Sequence, residues 1–343
     1  MRLLVIRLSA LGDVAILAPV LRARAAANPG TTFLLAAPPL LQPLFAGIEG
    51  VEFIATPRRQ SPRELARQWI ALRPDLVADL HGVPRVRRAL CRLRLHGVAV
   101  RHIRKERWRR WRLTRRRCKT RRRLTAAWQR YDRVFDACGL QPAAAIAAES
   151  MQPLAPRRAA DGLRHIGLAP GAQHRGKIWP AAYMETLVRQ LSADPRNRLL
   201  LFGGAEDKPQ LERWSAAYPN TRSLACRGSF ADELQAMAAL DLMVSMDSAN
   251  MHFASALGVP VVSIWGATHP FAGFYGWRQH PGNALQAALP CRPCSAYGQK
   301  ACRYGDYRCL HAVTPDAVLR KINELTDSPY LTPDGRTTVN VDP

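Results

Sequence analysis

The sequence is short of acidic residues and of long apolar runs. Its 343 residues include 26 Asp and Glu against 50 Lys and Arg, a formal net charge of +24. This surplus indicates an anionic partner, and nucleic acid, an anionic membrane surface and a phosphorylated substrate fit it equally well. Near the N-terminus only residues 3–6 are continuously apolar before Arg7. That run is too short for a signal peptide, and no later run reaches membrane-spanning length, so we expect a cytoplasmic protein that touches a membrane only from its surface.

Cysteine is concentrated in one stretch of the chain. Of the 8 cysteines, four occur as Cys291-x2-Cys294-x7-Cys302-x6-Cys309. Four thiolates in such a span can close a tetrahedral zinc site, although only the first pair has the short spacing of a zinc hook. A structural zinc site and a set of reduced thiols or labile disulfides therefore both stay open. A catalytic metal is not expected in either case.

Apolar, β-suited runs alternate with helical stretches in both halves of the chain. The predicted strands are 3–6, 33–37, 51–54, 76–80, 165–169, 198–202, 242–245 and 259–265. Such alternation predicts parallel sheets covered by helices on both faces, and the length suggests two domains. We expect domains at 1–155 and 156–325, an Ala/Pro-rich linker at 141–164 and a poorly ordered tail at 326–343.

A strongly basic segment covers residues 85–130. It contains 20 Lys and Arg and one acid, Glu106, with Trp108, Trp111 and Trp128 interspersed. Arg and Trp together suit a lipid headgroup interface, and they suit the phosphates and bases of RNA as well. A solvated, arginine-rich helix is the third interpretation. The sequence assigns this segment to the N-terminal domain and does not choose among the three.

The stretch 247–252 follows a predicted strand, where open α/β sheets bind their ligands. Asp247 and Ser248 stand at the start of the next helix, whose unpaired N–H groups and dipole favour an anion such as a diphosphate. Ser248 and Ala249 are small enough for a phosphate to approach the backbone, and His252 lies one helical turn later. The alternative is that Asp247 or Ser248 only caps the helix.

Two further strand ends carry candidate catalytic groups. Lys177 follows the first strand of the second half and is suited to neutralise a departing phosphate, or is a solvated surface lysine. The glycine spacing around it excludes a P-loop. Asp13 follows the first strand of the chain, where its carboxylate can take a proton from an acceptor hydroxyl or can cap the following helix.

Four blocks of sequence occur in a characteristic order: RLLVIRLSALGD at 2–13, DLHG at 79–82, LAPGAQHRGKIWP at 168–180 and MDSANMHFASALGVPVVSIWGATHP at 246–270. In these blocks the chain resembles the heptosyltransferase family, glycosyltransferase family 9, over roughly residues 1–325. The resemblance implies an α/β protein of GT-B architecture, with two Rossmann-like domains facing each other across a cleft. Members transfer heptose from ADP-heptose to the inner core of lipopolysaccharide, with inversion and without an essential metal or other cofactor.

The resemblance also implies roles for individual residues. Asp13 is the candidate general base and Lys177 the contact to the diphosphate. The ADP part of the donor site is lined by Asp247, Ser248, Ala249 and His252. Arg7 stands near the acceptor, where relatives usually have Lys, and Ser248-Ala249 replaces a frequent Thr-Gly pair. Glu206 and Asp207 are candidates for contacting the ribose or the adenine.

The implied partners are an ADP-heptose donor and an anionic acceptor of the Kdo-lipid A type. The third implied partner is the inner-leaflet surface, so we expect the protein at the inner face of the cytoplasmic membrane. One alternative keeps the fold but changes the donor or acceptor, and another is a non-catalytic, nucleic-acid-binding protein. The ordered set of Asp13, Lys177 and 247–252 favours catalysis, so nucleic acid is the less favoured partner.

Overall fold

The structure is a computed structural model that describes residues 1–115, 122–144, 146, 154 and 161–327. The chain forms two compact units. The first consists of Met1–Arg107 and Thr125–Met151, and the second of Trp108–Leu124 and Gln152–Pro343. The predicted boundary at 155, most of the linker and the tail from 328 lie outside the described residues.

The first unit is built on a parallel sheet. Its strands are β1 (Arg2–Ile6), β2 (Thr32–Ala37), β3 (Val51–Ala55), β4 (Leu76–Asp79) and β5 (Ala99–His102). They pair in parallel in the order β3-β2-β1-β4-β5. The central strand β1 is buried from Leu3 to Ile6, as expected of a strand covered on both faces. Four of these strands were predicted, whereas β5 was missed because a short edge strand has only a weak apolar signal.

Helices connect these strands. They are α1 (Leu11–Ala15), α2 (Leu17–Ala27), α3 (Gln42–Phe45), α4 (Pro62–Ala71) and α5 (Pro84–Leu95). Two further helices, α6 (Arg107–Leu113) and α7 (Ala127–Ala137), follow β5 in the chain. The single helix predicted from residue 14 to 27 is wrong, because the chain is interrupted at Ile16. Pro19 explains the break, since its ring clashes with the carbonyl of Ala15 and it has no N–H to donate to it.

The second unit repeats the parallel design. Its strands are β6 (Arg164–Ala169), β7 (Asn197–Leu201), β8 (Thr221–Ser223), β9 (Leu242–Met246), β10 (Val261–Trp265) and β11 (Ala284–Gln286). Their order is β11-β10-β9-β6-β7-β8. The helices are α8 (Ala181–Ser192), α9 (Lys208–Ala217), α10 (Phe230–Ala238), α11 (Ala249–Ala256), α12 (Arg308–His311) and α13 (Pro315–Thr326). The four predicted strands are confirmed, and the missed β8 and β11 are edge strands of 3 residues each.

Part of the basic segment belongs to the second unit rather than to the first. Residues 108–124 group with it because α6 is anchored there. Arg110 Nη1 donates to the Tyr297 hydroxyl at 2.6 Å, and its guanidinium stacks 5.0 Å from the ring centroid of Phe274. Leu113 and Leu124 pack together with Ala272. The assignment of the whole segment to the N-terminal domain is therefore wrong.

A glycine in β6 gives a test of the packing in the second unit. A Cβ atom at Gly167 would lie 2.4 Å from Leu240 Cδ1 and 2.9 Å from Met243 Sδ. We expect Gly167→Ala to lower the free energy of unfolding by about 1–3 kcal/mol through overpacking, measured by urea denaturation. Gly204→Ala is the matched control, since nothing lies within 4 Å of a Cβ there. Equal midpoints for the two variants would contradict this packing.

Candidate active site

Arg7 and Asp13 form an ion pair at the carboxyl end of β1. Arg7 Nη2 lies 2.5 Å from Asp13 Oδ2, and the side chains are 9% and 19% exposed. Arg7 Nη1 also donates to the Leu80 carbonyl at 2.6 Å, which ties the pair to the end of β4. A guanidinium this close stabilises the ionised carboxylate, the form that a general base requires.

Asp13 also caps α1. It lies in the first turn of that helix, and its Oδ2 accepts the Ala10 N–H at 3.3 Å. The capping interpretation and the general-base interpretation therefore describe the same oxygen, which is held at a helix start. The sequence placed Asp13 just before a helix that began at residue 14, and the helix in fact begins at Leu11.

Tyr131 supports this ion pair and was missed by sequence reasoning. Its hydroxyl donates to the Asp13 carbonyl at 3.1 Å, and the Arg7 guanidinium lies 5.6 Å from its ring centroid. Tyr131 is 1% exposed. No local motif marks it, since it is 118 residues from Asp13 and reaches it only through the folding of α7.

The DLHG block forms a buried turn after β4. Asp79 is fully buried, and its Oδ1 accepts the N–H groups of His81 at 3.0 Å and Gly82 at 2.8 Å. Its Oδ2 lies 2.8 Å from His102 Nδ1, while Arg94 Nη2 lies 2.7 Å from His102 Nε2. Because a guanidinium only donates, His102 Nε2 accepts its hydrogen bond and the His102 Nδ1–H donates to Asp79 Oδ2. Asp79 thus shapes the turn rather than facing a substrate.

His81 and Lys105 add basic groups beside this turn, and neither was singled out from the sequence. Burial, with repulsion from Arg7 and Lys105, lowers the pKa of His81 to about 4, so its imidazole is neutral at pH 7. Partial burial and repulsion from Arg7 and Arg107 lower the pKa of Lys105 to about 8. The alkyl chain of Lys105 lies over Gly82, where a Cβ would be 3.2 Å from Lys105 Cε. The surplus of positive charge suits an anionic substrate group.

In the second unit the structure brings Lys177 and Asp247 together. Lys177 Nζ lies 2.9 Å from Asp247 Oδ2, and the side chains are 16% and 6% exposed. Lys177 ends a short 3-10 turn, Arg175–Lys177, after β6, and Asp247 directly follows β9. The neighbouring pairing of β6 with β9 brings these two loops to one edge of the sheet. The interpretation of Lys177 as a solvated surface lysine is therefore wrong.

Ser248 is the N-cap residue of α11 but makes no side-chain capping bond. Its hydroxyl instead lies 3.2 Å from the Ser245 hydroxyl. Ala249 begins the helix and His252 lies one turn later, buried. Pure capping by Asp247 or Ser248 does not describe these side chains, and the start of α11 has the features of an anion site next to a lysine.

Asp207 has a structural role at the end of β7. Its Oδ2 accepts the Gly204 N–H at 3.0 Å, and a Cβ at Gly171 would lie 2.5 Å from the same oxygen. Glu206 is exposed. Asp207 therefore packs the loop after β7 against the loop after β6, and a contact of either residue with ribose or adenine stays a prediction.

The four clustered cysteines line one pocket in the second unit. Cys291, Cys294, Cys302 and Cys309 form no disulfide and line a cavity of about 290 Å³. Zinc needs such sulfurs to converge at about 2.3 Å from one point. Within the described residues no group of three or more His, Cys, Asp or Glu is arranged to hold a metal ion. Burial raises the pKa of Cys309 to about 11, so this thiol is neutral at pH 7.

The described residues thus give no support to the zinc interpretation, and the interpretation as reduced thiols or labile disulfides stays a prediction. Across residues 1–115, 122–144 and 161–327, no helix combines the length and the apolar character that crossing a bilayer requires.

The low pKa of His81 predicts a specific pH dependence of stability. Between pH 6.5, its ordinary pKa, and pH 4 the unfolded chain binds a proton that the folded protein does not. The free energy of unfolding therefore falls as the pH is lowered through this window. His81→Gln removes that contribution, so the loss between pH 7 and 4.5 should shrink by on the order of 2 kcal/mol. Urea denaturation at both pH values measures it, and an unchanged loss would contradict the buried, neutral imidazole.

Comparison with known proteins identifies the family to which this chain is similar. The sequence profile of glycosyltransferase family 9 (heptosyltransferase) matches residues 115–304. A lipooligosaccharide heptosyltransferase 2 from Campylobacter jejuni is 25% identical over 174 residues, which cover 48% of this chain and 52% of the relative. The chain thus spans about half the length of the curated relatives it matches.

Solved structures establish the fold. The structure of Escherichia coli ADP-heptose LPS heptosyltransferase II has a TM-score of 0.64 at 21% identity, with 95% of this chain and 98% of that chain covered. E. coli heptosyltransferase WaaC with ADP has a TM-score of 0.65 at 20% identity, with 95% and 100% covered. Together with the two parallel-sheet units, this likeness makes the fold GT-B, as the sequence resemblance implied. Because the family profile covers more than half of its length, the chain belongs to glycosyltransferase family 9, the heptosyltransferase family.

Proposed function

We propose that the protein is an inverting, metal-independent heptosyltransferase that uses ADP-heptose and modifies the inner core of lipopolysaccharide. The observation that carries the proposal is the ion pair of Lys177 with Asp247 at the start of α11. An ammonium group has three donor hydrogens, so Lys177 can keep Asp247 and still bind a diphosphate. The family assignment supports this choice of reaction, and a solved relative that holds ADP supports the nucleotide.

The proposed reaction is a single displacement. Asp13 accepts the proton of the acceptor hydroxyl as its oxygen forms a bond to the anomeric carbon of the heptose. The bond from that carbon to the diphosphate breaks, and its electron pair leaves with the diphosphate oxygen. Lys177 and the N–H groups at the start of α11 stabilise the negative charge that develops there. Attack opposite the leaving group inverts the anomeric configuration.

The first unit supplies charge for an anionic acceptor. In this proposal Arg7 holds Asp13 ionised, while Lys105 and Arg7 together attract the carboxylates and phosphates of a Kdo-lipid A type acceptor. Lys105 is only partly buried and lies near Arg7 and Arg107, which suits it to receive such a group. The main alternative is a GT-B transferase with another donor, because Ser248-Ala249 replaces the family's frequent Thr-Gly pair.

The direct test is to incubate the protein with ADP-heptose and Kdo-lipid A and to measure heptose transfer. We expect Asp13→Asn to lower kcat by about 10²–10⁴-fold, because it removes the proton acceptor, while calorimetry shows unchanged ADP binding. Glu49→Gln, which removes an exposed carboxylate of the same unit, should leave the rate unchanged. Full activity of Asp13→Asn would disprove the general-base role, and failure to bind ADP would disprove the proposed donor.

We further propose that α6 contacts the headgroups of the inner leaflet. Trp108 and Trp111 are 62% and 51% exposed, although burying such rings is favourable. Arg112 lies 4.8 Å from the ring centroid of Trp108, and Arg115 lies 4.3 Å from that of Trp111. Indole rings prefer the membrane–water interface, and each nearby basic residue adds about 1 kcal/mol of attraction to an anionic leaflet.

Vesicle sedimentation tests this surface. We expect the full chain to bind vesicles that contain phosphatidylglycerol, and Trp108→Ser with Trp111→Ser to lose most of that binding, because the rings can no longer insert. Leu95→Ser is the control, since Leu95 is an exposed apolar residue outside α6. Equal loss in the control would contradict the assignment. Tight binding of single-stranded RNA that depends on the same tryptophans, without vesicle binding, would favour the nucleic-acid alternative.

A further inference from the structure

The cysteine-rich segment, residues 291–309, is fastened to the loop that follows β10. Arg292 is buried and donates to the carbonyls of Gly266 at 2.5 Å and Thr268 at 2.9 Å. The Ala267 carbonyl accepts the N–H groups of Cys294 at 3.1 Å and Ser295 at 3.2 Å. Bonds to a buried guanidinium are stronger than neutral ones, so the start of this segment has a fixed position.

This fastened segment places Gly298 directly against Lys177. Gly298 is buried and has φ +84°, a conformation that favours glycine. A Cβ atom there would lie 2.7 Å from Lys177 Cγ, 3.3 Å from Cδ and 3.2 Å from Cε. The Gly298 N–H donates to the Ser295 hydroxyl at 3.0 Å, which holds the turn. The backbone at Gly298 therefore covers most of the alkyl chain of Lys177.

Backbone contacts at two more glycines constrain the same region. The Gly176 carbonyl accepts the Ala267 N–H at 2.8 Å. A Cβ at Gly176 would lie 2.7 Å from the Gly298 carbonyl oxygen, and one at Gly266 would lie 2.5 Å from the Gly176 oxygen. Three segments of backbone thus meet at glycines next to Lys177, and none of them has room to move aside without disturbing another.

We infer that Gly298 and the cysteine-rich segment are a positioning element for Lys177, which they hold in the one conformation that reaches Asp247. A free lysine side chain loses rotamer entropy when it is fixed in one conformation. The segment meets that cost during folding, so the ammonium is already in place when a diphosphate arrives. The inference rests on the proposed role of Lys177 in donor binding. In this inference the cysteine-rich segment acts on donor binding through Lys177, and its own side chains do not contact the substrate.

A matched pair of glycine variants tests the inference. Gly305 lies in the same segment with φ +76°, and nothing lies within 4 Å of a Cβ there. Gly298→Ala and Gly305→Ala therefore carry similar backbone strain, but only the first displaces Lys177. We expect Gly298→Ala to raise the Kd for ADP and the KM for ADP-heptose about tenfold, the scale of one charge-assisted hydrogen bond, and Gly305→Ala to change neither. Equal effects of the two variants would overturn the inference.

A double-mutant cycle separates positioning from general damage. If Gly298 acts through Lys177, then Gly298→Ala has no further effect on ADP binding in a Lys177→Ala background. Additive losses would overturn the positioning role. If Lys177→Ala leaves ADP binding unchanged, it is instead the proposed donor site that fails, so the two failures are distinguishable. Should Gly298→Ala not fold, Ser295→Ala loosens the same turn without adding atoms and should raise the KM for ADP-heptose in the same direction.

Discussion

The ion pair of Lys177 with Asp247 is the interaction on which the second unit's site depends. Both groups are nearly buried, and taking two charges out of water costs several kcal/mol unless the partners are held in good geometry. That geometry is assembled from three places: the turn after β6, the end of β9 and the backbone at Gly298. The parallel pairing of β6 with β9 brings the first two together, and the fastened cysteine-rich segment closes the third side.

The first unit also holds a partly buried carboxylate next to basic groups, but there the positive charges outnumber the negative ones. Asp13 is the acidic member of a group that includes Arg7 and Lys105, while Asp79 is occupied in its own turn. An adjacent arginine keeps a carboxylate ionised but also weakens it as a base, so such a group needs compensation from the substrate. In the proposed reaction an anionic acceptor would provide it, because its charges would partly neutralise Arg7 and Lys105. The surplus of positive charge and the proposed base are thus parts of one arrangement.

Sequence reasoning succeeded for the strands whose residue pattern along the chain is sufficient to predict them. Buried parallel strands such as β1 and β9 are continuous apolar runs, and the residues at their ends were found from that fact alone. Edge strands such as β5 and β8 were missed because partial exposure removes the apolar signal. The cysteine spacing suggested a possible zinc site, but closeness in sequence does not by itself make four sulfurs converge, and the part of the chain that the structure describes holds no such cluster. Tyr131 and Gly298 were beyond reach, because each acts on a residue more than 100 positions away.

The glycines beside Lys177 show how stretches that are distant in sequence fix the conformation of one side chain. Gly176, Gly266 and Gly298 lie in three separate stretches of the chain, and each is required because another of the three stretches approaches it within van der Waals distance. A Cβ atom at Gly266 would press on the Gly176 carbonyl, one at Gly176 on the Gly298 carbonyl, and one at Gly298 on the alkyl chain of Lys177. The conformation of a single lysine is therefore specified by packing among stretches that are distant in sequence. A loop that merely contained Lys177 would leave its ammonium free to move in solvent, and in the proposed donor site it would hold a diphosphate less well.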